Sequence, residues 1–313
     1  MSSRWIAYLY LLLAMLGAGS TVVVSKLVSA SLPPFTATAI RFGMALPLLL
    51  ILMYWRGSAW PRPSRHDWII LLLQAGAGSV GYTVLLLAGI RWSSAASAGV
   101  LMGTLPAVSS VLALLLLRES LQWRQGLALL LCSVGALMVS VRTGSGLSFG
   151  RADELAGNGL ILLAVACEAL FILLNRRLRQ PLSPLVLSSF LCALGLLLVL
   201  PAALLEWQGS WQVSWQVSTA ALLGLAYYAA VPTVLGFVLW YAGAARVAAG
   251  EAALFTALMP VSALLFAAGV LQEAIRPSQL FGMACVLVAL LLQVLPVRRR
   301  AGPAAGVGRG RAQ

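Results

Sequence analysis

Long apolar runs broken by short polar stretches dominate the chain. A bilayer core takes about 20 apolar residues per helix. Ten runs of that order can be read: Trp5–Val24, Pro33–Trp55, Trp68–Ile90, Ser94–Leu117, Gln125–Val141, Ala156–Leu174, Pro184–Leu205, Val217–Ala245, Ala252–Leu271 and Ser278–Val297. The linkers between them are short and hold Gly, Pro and Arg, the usual breakers. They leave no room for a second, soluble domain. The pattern predicts an all-α polytopic membrane protein with ten transmembrane helices. The first run starts after Arg4 and contains the small residues Gly17-Ala18-Gly19-Ser20, as a signal peptide does. It continues through Val22-Val23-Val24 to spanning length, so it reads as an uncleaved helix.

Composition agrees. Of 313 residues, 61% are hydrophobic and 9% are charged, against roughly 25% charged in a soluble domain. An ordinary soluble enzyme, a disordered tail and a soluble nucleic-acid binder are excluded. The net charge of +13 then concerns orientation. With the N-terminus inside, 15 Lys/Arg residues fall in segments on that side and 5 on the other, with Arg41 within a span. Basic residues favour the cytoplasmic side, so both termini are expected in the cytoplasm of a multi-pass cell-membrane protein. The tail 298–313, opening with Arg298-Arg299-Arg300, fits an anionic inner leaflet and not a nucleic acid. Trp5, Trp55, Trp68, Trp92, Trp123, Trp207 and Trp240 fall near span ends, where amphipathic rings prefer the interface. Trp207, Trp211 and Trp215, four apart, suggest a further interfacial stretch.

The chain also resembles itself. Shifted by 154 residues, the fourth and fifth runs meet the ninth and tenth without a gap. Pro106 meets Pro260, Glu119 meets Glu273 and Gln125 meets Gln279. Ala95, Ala98, Ala113 and Val134 meet Ala249, Ala252, Ala267 and Val288. At a shift of 150, the first two runs align more loosely with the sixth and seventh, Lys26 with Arg176 and Pro34 with Pro184. Two units of five spans follow, 1–145 and 154–297. Five is odd, so the second unit enters the membrane in the opposite sense. Inverted repeats of this kind are common in secondary transporters.

These features resemble the drug/metabolite transporter superfamily, EamA type. The resemblance rests on Gly19-Ser20-Thr21, Lys26, Pro33-Pro34 and Arg41-Phe42, and on the repeated Pro106/Glu119/Gln125 and Pro260/Glu273/Gln279. It implies ten helices in two EamA repeats, cytoplasmic termini, and export or exchange of small metabolites. Two positions depart from the family. The residue before the repeated Glu, often Gly, is Arg118 and Gln272 here. The acidic residue many members carry before the second-half Pro is Met259.

Only Arg41 and Glu168 place charge inside the ten spans. Such a residue costs about 2.5–3.5 kcal/mol on insertion scales and needs a partner or water. Glu168 lies about 12 residues, or about 18 Å, into its span, near the midplane where transporter sites occur. It reads as a proton-coupling carboxylate or a counter-charge for a cationic or amino group. The plain alternative is a protonated side chain bridging helices. Arg41 reads as a snorkelling residue reaching the outer interface, or as the partner of a substrate carboxylate or of Glu168. Pro106 and Pro260, preceded by Gly99 and Gly103 or by Ala253 and Ala257, predict two mid-span kinks that either gate a cavity or merely shape the packing. Ser20, Thr21, Gln74, Tyr82, Thr83, Tyr227 and Tyr228 either line such a cavity or bridge helices.

Other patterns carry no chemistry. Gly76-Ala77-Gly78-Ser79-Val80-Gly81 matches G-x-G-x-x-G but lies within an apolar span, where close helix packing is expected and a dinucleotide site is not. Cys132, Cys167, Cys192 and Cys285 show no metal spacing, and His66 stands alone beside Asp67. No cofactor, metal or enzymatic site is expected. The expected function is a secondary transporter that exports or exchanges a small metabolite, an amino acid or related compound, by alternating access, with protons as the candidate coupling ion. A channel or an uptake permease for a small polar solute is the alternative.

Overall fold

The computed structural model describes residues 3–58, 60–117, 123–142, 148–149, 152–175, 177–180, 182–209, 218–247, 255–256 and 258–294. The first half contains α1 (Ser3–Ser29), α2 (Pro34–Trp55), α3 (Arg65–Gln74), α4 (Tyr82–Ile90), α5 (Ala95–Met102), α6 (Leu105–Leu117) and α7 (Trp123–Ser140). The second contains α8 (Ala152–Asn175), α9 (Pro184–Gly209), α10 (Thr219–Tyr228), α11 (Gly236–Ala244), α12 (Leu258–Val270) and α13 (Pro277–Val294). Seven-residue π-helical segments, Ala75–Gly81 and Ala229–Leu235, join α3 to α4 and α10 to α11. Among the described residues the strands are a two-residue antiparallel pair, β1 (Val141–Arg142) and β2 (Ser148–Phe149), with Val141 opposite Phe149.

Among the described residues six helices are long and apolar enough to cross a membrane: Arg4–Ser29, Pro34–Trp55, Arg65–Ile90, Ala152–Asn175, Pro184–Trp207 and Thr219–Ala244. A bent pair, α5 with α6, makes a seventh if its 47° bend lies within one span. The apolar helices Gly126–Met138, Leu258–Val270 and Pro277–Leu292 are shorter. The protein is therefore a helical, multi-pass membrane protein. The expected fourth run is broken, and the fifth, ninth and tenth are short as described.

The bend expected at Pro106 occurs as a break in the helix. α5 ends at Met102, Gly103 and Thr104 turn, and α6 restarts at Leu105 with Pro106 as its second residue. The Thr104 hydroxyl donates to the Leu101 carbonyl at 2.7 Å and closes the turn. Pro260 is likewise the third residue of α12. In a first turn the backbone N–H has no intrahelical partner, and the fixed φ of proline suits the helix. Both prolines start helices; neither bends a continuous one.

Element boundaries recur 154 residues apart for α3 and α10, for the two π segments, for α4 and α11, and for α7 and α13. The serine caps of α3 and α10, Ser64 and Ser218, are also 154 apart; each accepts from the amide three residues on. Packing follows the same correspondence. α2 lies along α9 and α7 along α13; α1 packs on α12 as α6 does on α8, and on α10 and α11 as α8 does on α4.

A large buried cluster starts at the face on which α1 ends and continues along α7 and α13 through Ala128, Cys132, Val286 and Leu290. It includes Val22, Leu86, Ile90, Ala95, Ala98, Leu101, Ile161, Val165 and Ala267, all buried. Small residues permit this, because van der Waals contact between close backbones is what holds helices together in lipid. The ends of α1 and α4 cap one another. The Lys26 ammonium donates to the carbonyls of Ile90 and Ser93, while Arg91 donates to Ser29 O at 3.0 Å and Leu32 O at 2.8 Å. Cations satisfying the last carbonyls of a helix also complement its dipole.

Candidate functional site

Beside that core the helices part around a cavity of about 510 Å³. It touches Ala14, Met15, Ala18 and Thr21 of α1, Arg41 of α2, Tyr82 of α4, and Glu168 and Ile172 of α8. Its other walls include Met102, Gly103 and Ser109, then Tyr228, Thr233, Phe237, Trp240 and Tyr241, and finally Thr256, Met259 and Pro260. Trp240 and Tyr241 lie in the last turns of α11, whose Gly243 abuts Ala7 and Leu11 near the start of α1. The cavity thus runs from the middle of the bundle toward the face on which α1 begins. A chamber of about 150 Å³ adjoins it and shares Arg41, Tyr82, Glu168, Thr233 and Phe237.

The two intramembrane charges meet the same space. Arg41 does not reach for the membrane surface, which corrects the snorkelling reading. Its Nη1 donates to Thr83 Oγ1 at 2.7 Å, and its Nε and Nη2 donate to Thr233 Oγ1 at 3.2 and 3.0 Å. The guanidinium lies 4.0 Å from the Tyr228 ring centroid and 5.3 Å from that of Phe42. A cation over an aromatic face away from bulk water gains about 2 kcal/mol. Thr83 and Thr233 are themselves anchored, donating to Ser79 O at 2.7 Å and to Tyr228 O at 2.8 Å. The second bond spans five residues, the register of a π turn, and Thr233 sits inside that turn. π segments often mark functional positions because they displace a side chain from α register. Among the described residues Glu168 makes no hydrogen bond or ion pair, with Arg41 or any other group. The cavity therefore presents a fixed cation and a free carboxylate together.

The other candidate residues divide. Thr21, Tyr82, Tyr228, Gly103 and Pro260 line the cavity. The Tyr228 hydroxyl is buried and unbonded; the Tyr82 hydroxyl lies 3.9 Å from Met102 Sδ. Ser20 and Tyr227 do not line it; their oxygens lie 2.8 Å apart and bridge α1 to α10. Gln74 does not either: it is fully buried and donates to Phe171 O at 3.2 Å, fixing α3 to α8. Gly99 faces α12, where a Cβ would come within 2.7 Å of the Ala263 Cβ. Pro106 belongs to α6, but its side chain, like Glu119, Ala249, Ala252, Trp211 and Trp215, lies outside the described residues. The G-x-G-x-x-G stretch forms the first π segment, with Gly78 packed closely on Phe171. Trp240, near the end of α11, is also a cavity wall.

Sequence reasoning missed Thr233, Phe237, Tyr241 and Thr256. Thr233 had a signal: it lies 154 residues after Ser79 and next to Pro232. The aromatic pair, Phe237 and Tyr241, stacks at 6.1 Å and is indistinguishable by type from lipid-facing neighbours.

The family model for EamA-like transporters matches residues 5–141 and again 155–295. The chain belongs to the EamA-like transporter family. Among curated relatives, "Uncharacterized transporter YetK" of Bacillus subtilis (strain 168) is 34% identical over 92% of this chain and 87% of its own length. "Uncharacterized transporter YyaM" of the same organism is 24% identical over 91% and 92%. An "Uncharacterized transporter" of Archaeoglobus fulgidus is 25% identical over 85% and 89%. A solved crystal structure superposes with a TM-score of 0.63 at 16% identity, covering 93% of this chain and 96% of that one. That likeness speaks for the fold alone.

Proposed function

We propose that this EamA-family protein is a secondary transporter that moves a small zwitterionic metabolite, an amino acid or related compound, outward by alternating access. The observation that carries this reading is the central cavity with Arg41 and Glu168 on its walls and no ion pair between them. A carboxylate on the cargo pairs with the Arg41 fork, the geometry for which guanidinium is suited. An amino group on the cargo takes the Glu168 carboxylate. A cavity of about 510 Å³ falls within the usual range for small-molecule sites.

The ten-span, two-unit architecture belongs to the same proposal. The element boundaries and serine caps 154 residues apart and the double family match support two inverted units, 1–145 and 154–297. The bias of basic residues supports cytoplasmic termini, with the basic tail 298–313 on the same side. With that orientation the cavity points toward the cytoplasm, and the packed residues around Ile90, Ala95 and Ile161 close the outer side. Glu168, which makes no hydrogen bond or ion pair among the described residues, exchanges its proton or its cargo contact as the cavity changes sides. Pro106 and Pro260 start the cavity-side helices α6 and α12 and mark where these move.

Reconstituted vesicles loaded with an amino-acid and metabolite panel test this. Saturable counterflow is expected; flux without counterflow would identify a channel. Glu168→Gln is expected to abolish the dependence of flux on the pH gradient, and unchanged dependence refutes proton coupling.

A further inference from the structure

Glu273, the second copy of the repeated Glu, is not among the walls of the cavity. Glu273 lies in the turn between α12 and α13, on the face where α1 ends. Its two carboxylate oxygens accept from the Ala95 and Ala96 amides, each at 3.1 Å, at the first turn of α5. Gln279 Nε2 donates to Ser94 Oγ at 3.1 Å and Ser97 Oγ at 2.9 Å in the same turn. Gln279 Oε1 in turn accepts from the Arg276 amide at 2.8 Å, and Arg276 Nη1 binds Glu154 Oε1 at 2.8 Å. The second half thus grips the first at the N-terminus of the broken helix, over the buried core and opposite the cavity. The grip is set by a strained turn. Gln272, immediately before Glu273, has φ 52°, the left-handed region that costs a non-glycine residue. A polar hollow of about 320 Å³, lined in part by Lys26, Glu154, Glu273 and Gln279, lies beside it and gives water access to these bonds.

We propose that Glu273 and Gln279 form the latch that keeps this face closed, and that its release from α5 opens the central cavity to that side. The inference rests on the alternating-access reading, yet it is read out without cargo. Ser25 supplies the reporter. It lies one turn beyond Thr21 toward the latch, is fully buried, and its hydroxyl has no partner. Ser25→Cys, in a background with the four native cysteines replaced by alanine, is reacted in proteoliposomes with a membrane-impermeant maleimide. Losing two charge-assisted bonds shifts the closed-to-open ratio by about tenfold or more. Glu273→Ala is expected to raise the labelling rate by that factor. Gln272→Gly, which relieves the strained turn and tightens the latch, is expected to lower it below the parent. A folded Glu273→Ala protein labelled at the parental rate overturns the latch. If that variant does not fold, Gln272→Gly decides: an unchanged or faster rate overturns it. Counterflow can succeed while this test fails, so the two readings fall separately.

Discussion

The Arg41–Thr233 contact makes a measurable prediction, because a single substitution at either residue is ambiguous. Arg41→Met removes a charge whose insertion costs about 2.5–3.5 kcal/mol. It also removes the cation–π contact with Tyr228 at 4.0 Å, which is favourable by about 2 kcal/mol, and the hydrogen bonds to two threonines. The net change is small and of either sign. Thr233→Val keeps the shape but loses both the Arg41 contacts and the bond to Tyr228 O. The double-mutant cycle cancels everything except the pair itself. Neutral hydrogen bonds between membrane helices couple by about 0.6 kcal/mol on average, with a maximum near 1.7. A charged donor roughly doubles a bond, so the expected coupling is about 1.2 kcal/mol, with the double variant less destabilised than the sum of the singles. The assay is unfolding in mixed micelles by dodecyl sulfate titration, followed by circular dichroism. Additivity within about 0.3–0.5 kcal/mol, the range for independent sites, would refute the placement of Arg41 beside the second π segment.

Two further outcomes follow from backbone geometry. Gly99→Ala gains about 1 kcal/mol of helix propensity but places a Cβ 2.7 Å from that of Ala263, and overpacking costs about 1–3 kcal/mol. Net loss is expected in the same unfolding assay, with recovery when Ala263→Gly is added; a stabilised single variant contradicts the close contact. Pro260→Ala is expected to change stability by less than about 1 kcal/mol, because Pro260 occupies the first turn of α12. A proline inside a continuous helix would instead give a gain of about 3 kcal/mol on replacement, so a large gain refutes the helix-start geometry. If exchange rates of both Pro106→Ala and Pro260→Ala stayed at the parental level, the moving-element reading of these sites would be dropped.

What the sequence disclosed depended on how far each residue departed from its surroundings. Arg41 and Glu168 were legible because charge in an apolar run has few permitted places, and both line the central cavity. Threonine, serine and aromatic residues depart far less, since they satisfy themselves on their own helix or against lipid. Ser20 and Gln74 therefore looked like Thr21 and Tyr82 in the sequence, though they bridge helices instead of lining the cavity. The π segments were hidden for a related reason. Their sequences, AGAGSVG and AAVPTVL, match only at the first and sixth positions. An extra residue in a helical turn is set by tertiary contacts, not by propensity, and only the 154-residue spacing connects the two.

The turn before Glu273 shows how a departure from a pattern can be physically informative. Where relatives of this type often carry Gly, this chain has Gln272, and from sequence that difference only weakened the resemblance. In the structure Gln272 holds φ 52°, a conformation glycine adopts without cost and other residues adopt at about 1–2 kcal/mol. The backbone takes a conformation that glycine meets most easily, and a glutamine holds it. Part of the cost is offset locally, since the Gln272 side chain donates to Gly269 O at 2.7 Å. A turn retained under strain, immediately before a carboxylate that caps a helix from the other half, fits a contact whose geometry matters more than its stability. That is the property a releasable latch needs: the bonds of Glu273 to α5 must form in one arrangement and still be breakable, and a strained turn lowers the barrier to breaking them.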